Sequence, residues 1–147
     1  MNSVLILNGP NLGRLGSREP EIYGSLSLAD IESRLRTEAP DGVTLRFEQT
    51  DDEATLIGFL HEALDARMGV ILNPAAFTHY SYAIRDACAM VTSAGLPLIE
   101  VHLSNPHSRE EFRHRSVISG VATGVILGFG ADSYTLAMTQ MMTLLGR

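Results

Sequence analysis

Three short apolar runs in this chain stop abruptly on a polar residue: Val4-Leu-Ile-Leu7 on Asn8, Gly69-Val-Ile-Leu72 on Asn73, and Pro97-Leu-Ile-Glu-Val101 on His102. Runs this short, rich in branched side chains and bounded by Gly, Pro or Asn, read as strands covered on both faces, which is the pattern of a parallel sheet. In open parallel sheets ligands bind beyond the carboxyl ends of the strands. The polar residues that terminate the runs therefore fall where a site is expected.

Helical patterns alternate with these runs. The spacing predicts strands at 3–7, 43–48, 69–72, 97–101 and 121–127, and helices at 27–39, 52–66, 81–93 and 133–145, with a polar stretch at 104–116. Ser27 is a plausible helix cap, and Asp52 and Glu53 open a helix where the macrodipole favours negative charge. Alternation of this kind predicts a three-layer, doubly wound α/β fold with a five-stranded parallel sheet, flavodoxin-like in plan. The 147 residues, 45% of them hydrophobic, suit one domain spanning 1–147 around one core. No internal repeat, low-complexity tract or linker interrupts them.

Composition removes several functions. A net charge of −6 argues against nucleic acid as a partner, since phosphate binding shows as a basic patch. No secretory leader pattern is present and no apolar run approaches the ~20 residues needed to cross a bilayer, so the expectation is a soluble cytoplasmic protein without a membrane partner. Cys88 is the only cysteine, which precludes an intrachain disulfide and reads as a packed helix residue. All 11 basic residues are arginines. Without lysine the chain has no side-chain amine for a Schiff base, for pyridoxal phosphate or for a P-loop. Any catalysis must use His, Tyr, carboxylates and guanidinium groups.

The first loop, residues 8–24, is long for a strand-to-helix connection, where ~2 to 6 residues are usual. It carries glycines, Arg14, Arg18 and Tyr23, and reads either as a lid bringing Arg18 and Tyr23 over an anion or as a solvated loop anchored by Tyr23. Neither G-x-G-x-x-G nor a P-loop motif occurs in it. The loop after the third strand holds Asn73 and His79, the latter a structural hydrogen-bonder or a ligand contact. Glu100 and His102 stand two apart on a strand, so they share a face, and a carboxylate beside an imidazole makes His102 a natural general acid. The backbone N–H groups of Leu103, Ser104 and Asn105 are placed to receive a carboxylate. Arg109 and Arg113, four apart, share a face if 108–113 is helical, though spacing alone favours a solvated basic face.

Two other readings fit parts of this pattern. His79, Glu100, His102 and His107 are chemically suited to zinc but lack a compact ligand motif. The other is a binding or signalling module of the same fold: a response-regulator receiver would need an acidic phosphoacceptor where Asn73 stands and a lysine that the chain lacks, while flavin binding stays open on fold grounds alone. Gly128-Phe-Gly130 reads as close helix-strand packing, and Met138, Met141 and Met142 as core or subunit contacts.

Six segments, in order, resemble those of one family nearly end to end: Leu7-Asn-Gly-Pro-Asn-Leu-Gly13, Arg18-Glu-Pro-Glu-Ile-Tyr-Gly24, Asn73-Pro-Ala-Ala-Phe-Thr-His79, Ile84-Arg-Asp-Ala87, Glu100-Val-His-Leu-Ser-Asn105 and Arg109-Glu-Glu-Phe-Arg113. The family is type II 3-dehydroquinate dehydratase, a hydro-lyase of the shikimate pathway of aromatic amino-acid biosynthesis. The resemblance implies anti elimination of water from 3-dehydroquinate to 3-dehydroshikimate through an enolate, with no cofactor and no metal. It implies Tyr23 as base, favoured as phenolate by Arg18 and Arg109. Asn11 would hold a water at the ketone oxygen, and His102, oriented by Glu100, would protonate the leaving hydroxyl. Asn73, His79, Leu103, Ser104 and Arg113 would position substrate, and Asp86 would reach the site of a neighbouring subunit in trimers built into a dodecamer. The chain departs from the commonest pattern at Tyr80, at His114-Arg-Ser-Val117 and at Asp51-Asp-Glu53, which bears on subunit packing rather than on the reaction.

Overall fold

A computed structural model of the chain describes residues 2–17, 19–23 and 25–146. Strand β1 (Asn2–Asn8) is the spine of the sheet: Val4 and Ile6 point to one side, Leu5 and Leu7 to the other, and all four are fully buried. A strand apolar on both faces must be covered on both. β1 lies between β2 (Val43–Gln49) and β3 (Gly69–Asn73); beyond β3 come β4 (Leu98–His102) and β5 (Gly124–Leu127). Every pairing is parallel and the order is β2-β1-β3-β4-β5.

Helices α2 (Leu28–Glu38) and α5 (Asp132–Leu144) cover one face, packing Ile31, Leu35, Ala137 and Met141 on Val4, Ile6, Ile71 and Ile99. Helices α3 (Glu53–Asp65) and α4 (Tyr82–Ser93) cover the other, packing Leu56, Leu60, Ile84 and Val91 on Leu5, Leu7, Leu72 and Leu98. Cys88 is fully buried in that second layer, and burial pushes its thiol up to about 12. Met138, Met141 and Met142 are core residues, Met141 filling the space left by Gly69. Among the described residues, no helix is long and apolar enough to cross a membrane.

Local chemistry explains the helix starts. Ser27 and Asp30 form a reciprocal capping box, Asp52 accepts from the Thr55 N–H, and Ser81 accepts from the Ile84 N–H. The sequence reading places the first residue of each of these helices on its cap, one position early.

Two expectations need correction. The fifth strand begins at Gly124 rather than near 121, because Ser119–Val121 closes a 3-10 turn onto Ile118 before Thr123 reaches Leu98. Residues 108–113 are not one helix. Asn105 accepts from the His107 N–H and closes the tight turn Pro106–Ser108, Arg109 is extended, and a second turn spans Glu111–His114.

The chain reverses its direction of travel across the sheet between β1 and β3, so the loops leaving their carboxyl ends diverge. Asn8 and Asn73, paired in register, mark the floor of the crevice that results.

Candidate active site

The floor is a buried polar bridge. Tyr134, reaching up from α5 and fully buried, donates to Asn8 Oδ1 at 2.7 Å and accepts from Asn73 Nδ2 at 2.9 Å. Burial pushes its phenol upward, only partly opposed by the Asn73 hydrogen bond, so it serves as a neutral hydroxyl. Asn73 Oδ1 accepts from the Ala75 N–H at 3.1 Å, and this turn holds Ala75 in the left-handed region at φ 51°. The sequence singles out Asn73 but gives no sign of Tyr134 as its partner, because the two are 61 residues apart.

At the tip of β4, period-2 geometry brings Glu100 and His102 together as expected. His102 Nε2 lies 2.5 Å from Glu100 Oε2, which leaves Nδ1 as the ring nitrogen able to exchange a proton with a ligand. Glu100 is fully buried, yet its carboxyl sits below the usual carboxylate range: desolvation pushes it up, and the hydrogen bond and charge of His102 with the hydroxyls of Ser119 and Thr78 outweigh that. The chain after His102 is pinned by two glycines with positive φ, the Gly128 N–H donating to the His102 carbonyl and the Gly130 N–H to the Leu103 carbonyl. Gly128-Phe-Gly130 thus shapes the 103–104 segment, a role beyond helix-strand packing.

The long first loop contains a 3-10 turn at Leu12–Arg14 and a short helix, α1 (Pro20–Tyr23). Asn11 enters it with φ 69°, fastened by its own N–H to Asp51 Oδ1 at 2.8 Å, and Gln49 Nε2 braces the same carboxylate at 3.1 Å. Asp51, which sequence reading assigns to subunit packing, is therefore a support of the loop. At the other end Arg109 Nη2 donates to Tyr23 Oη at 2.8 Å, its guanidinium carbon lies 5.0 Å from the Tyr23 ring centre, and Nη1 donates to Ser104 Oγ at 3.1 Å.

These groups surround one cleft. Asn11, Tyr23, Asn73 and His79 line it from the first and third loops. His102, Leu103, Ser104, Arg109 and Arg113 line it from β4 and the segment that follows. Arg109 and Arg113 converge there although no helix joins them. His79 donates from Nδ1 to the Arg115 carbonyl at 2.8 Å and stacks edge-on against Phe112; burial lowers its pKa, with the Arg115 bond opposing and the charges of His102 and Arg113 adding to the effect. It is a neutral imidazole at neutral pH. Glu100 stands behind His102 rather than on the cleft wall. Asp86 lies away from the cleft on the exposed side of α4, paired with Arg85 at 2.8 Å. Arg18 lies outside the described residues. Among the described residues, no group of three or more His, Cys, Asp or Glu side chains is arranged to hold a metal ion, so His79, Glu100, His102 and His107 do not form a ligand set.

A profile of the family described as Dehydroquinase class II matches residues 2–142. The chain belongs to the class II dehydroquinase family. Among family members, the 3-dehydroquinate dehydratase of Salinispora tropica is 57% identical over 139 residues, covering 94% of this chain and 95% of its own. The 3-dehydroquinate dehydratase of Bacillus subtilis is 52% identical over 147 residues, with 99% and 97% covered. The type II dehydroquinase of Propionibacterium acnes superposes with a TM-score of 0.92 at 46% identity, covering 97% of each chain. The α/β sheet and its layers are thus those of class II dehydroquinases.

Proposed function

We propose that the cleft at the β1/β3 crevice is where this chain carries out its reaction. The protein is a 3-dehydroquinate dehydratase, a hydro-lyase of the shikimate pathway. The observation that carries the assignment of the site is the pairing of Arg109 with Tyr23 and of Glu100 with His102 around one cleft.

Removal of a proton next to the ketone requires a base, and Tyr23 fills that role. Free tyrosine ionises near ~10, so a phenolate needs cationic company, which Arg109 supplies by direct contact. Arg18, by the resemblance of its segment to the family's, takes the role of stabilising the transition state. The enolate that forms needs donors at its oxygen, and Asn11 provides them through a held water. His102 then gives a proton to the departing hydroxyl, which leaves as water, while Glu100 keeps the imidazole oriented. Asn73 and neutral His79 hold substrate hydroxyls, and Arg113 and the backbone of Leu103 and Ser104 receive the carboxylate. The reaction uses no cofactor and no metal.

The whole chain, 1–147, acts as one catalytic domain. It assembles as trimers within a dodecamer in the cytoplasm, where Asp86 of one subunit approaches the cleft of the next. The exposure of Asp86 and of Tyr82, Phe112 and Phe129 supports an assembled state, since large apolar side chains left in water mark contact surfaces. The test is ultraviolet absorbance on mixing with 3-dehydroquinate, with chelator present and with a parallel sample treated with borohydride plus substrate. Appearance of a conjugated enone in both is expected. No change from folded protein would remove the proposed site and reaction together.

A further inference from the structure

We infer that Thr78 and Ser119 are positioning residues, whose hydroxyl protons hold Glu100 as a carboxylate and thereby keep a proton on His102 Nε2. The inference rests on the roles given above to His102 and Glu100.

Glu100 is fully buried, and among the described residues the groups within hydrogen-bond reach of it are His102 and three hydroxyls, Thr78 from the third loop and Ser116 and Ser119 from the segment before β5. Thr78 Oγ1 lies 2.5 Å from Oε2 and Ser119 Oγ 2.5 Å from Oε1. Ser116 is farther, at 3.4 and 3.3 Å from the two oxygens, but only 2.6 Å from Thr78 Oγ1.

Each hydroxyl owns one proton, and counting protons settles their directions. Ser116 Oγ accepts the N–H groups of Ile118 and Ser119, each at 3.0 Å, and its own proton goes to its nearest acceptor, Thr78. Thr78, having accepted, gives its proton to Oε2, and Ser119 gives its proton to Oε1. The remaining short contact to Oε2 is His102 Nε2, and an ionised Glu100 has no proton to give it, so Nε2 is the donor. With Glu100 ionised every donor in the chain has its acceptor, Nε2 carries a proton, and Nδ1 is the ring nitrogen left to face a ligand.

The other titratable groups near the pair are His79 from the third loop, His107, Arg113 and His114 from the 106–114 turns, and Cys88 from α4. Among the described contacts none of these donates to Glu100. A buried carboxylate with no arginine bonded to it depends on such neutral donors to remain charged.

The test uses Thr78→Val and Ser119→Ala, which act from different segments, with Thr78→Ser restoring the donor. Each of the first two is expected to lower kcat about tenfold at the acid edge of the profile, the scale of one hydrogen bond to a charged group, with KM near wild type. The acid limb of kcat moves to higher pH, because a carboxylate short of a donor takes up a proton more readily. Thr78→Ser retains the wild-type profile. Two-bond proton–nitrogen spectra of His102 should show Nε2 protonated throughout the imidazole titration in the wild type and both tautomers in Thr78→Val and Ser119→Ala. A purely structural role would change stability without moving the tautomer. Superimposable profiles and spectra in either folded variant would overturn the inference. Retained activity in His102→Ala would instead overturn the underlying reading; an inactive His102→Ala beside unaltered Thr78→Val and Ser119→Ala would sink the inference alone.

Discussion

Replacing Tyr134 by phenylalanine removes one oxygen atom and leaves two buried polar groups facing each other without the hydroxyl that joined them. Asn8 Oδ1 loses the donor at 2.7 Å, and one N–H of Asn73 loses the acceptor at 2.9 Å. Both residues are almost wholly buried, at 0% and 3% exposure. A buried group left unpaired costs roughly 1–3 kcal/mol, so two of them lower stability by about 2–6 kcal/mol. The ring itself still fills its place against the core, so no further cavity cost adds. For a chain of this size ~1 kcal/mol moves the thermal midpoint by ~2–4 °C, and a fall of at least about 4 °C is expected. Urea unfolding followed by circular dichroism measures it, with an unchanged slope showing that the same surface is exposed. A parallel Asn8→Ala change, which removes one orphaned group, should cost less in the Tyr134→Phe background than in the wild type. A loss under about 0.5 kcal/mol in Tyr134→Phe would refute the accounting and mean that the bridge adds little beyond what water supplies elsewhere.

Tyr23→Phe and Arg18→Ala should each abolish most turnover while thermal unfolding and assembly stay as in the wild type; near-normal rates in either would overturn the proposed base. Stability should fall on acidification: folding depresses the pKa of both Glu100 and His79, so the unfolded chain binds more protons as pH drops. The His79 contribution is lost first, as pH falls below the unfolded value of ~6.5, and that of Glu100 only as pH falls through its own depressed value below the ordinary carboxylate range. Urea midpoints taken from pH 8 to pH 4 test this, His79→Asn should flatten the upper part of the decline, and greater stability at pH 5.5 than at 7.5 would contradict it. Asp86→Ala should lower activity although the residue lines no part of its own chain's cleft. Co-assembling inactive Tyr23→Phe subunits with Asp86→Ala subunits should restore some turnover, and no restoration in mixed particles would argue against a shared site.

The layers of the fold were legible because burial on both faces leaves an unbroken apolar run, as in 69–72, and because a polar residue at the end of such a run marks the strand tip. The pairing of Glu100 with His102 followed from strand period alone. What pattern could not reach was contact between distant segments: Tyr134 with Asn8 and Asn73, Asp51 with the Asn11 amide, and the hydroxyls of Thr78 and Ser119 with Glu100. Ser, Thr and Tyr give no sign in a sequence of whether their hydroxyls face water or a buried partner. Spacing alone favoured a solvated basic face for Arg109 and Arg113 and tied their convergence to a helix, whereas tight turns around Pro106 and Glu111–His114 bring both to the cleft.

The burial of Cys88 has a practical consequence. The thiolate is the form that attacks thiol reagents, and a fully buried thiol pushed up to about 12 offers none while the second helical layer stays closed. The chain has no other cysteine, so whatever label it acquires under native conditions records an opening of that layer at one known place. The rate of labelling, followed by mass with and without a bound substrate analogue, becomes a count of how often the layer parts, obtained without altering a single residue.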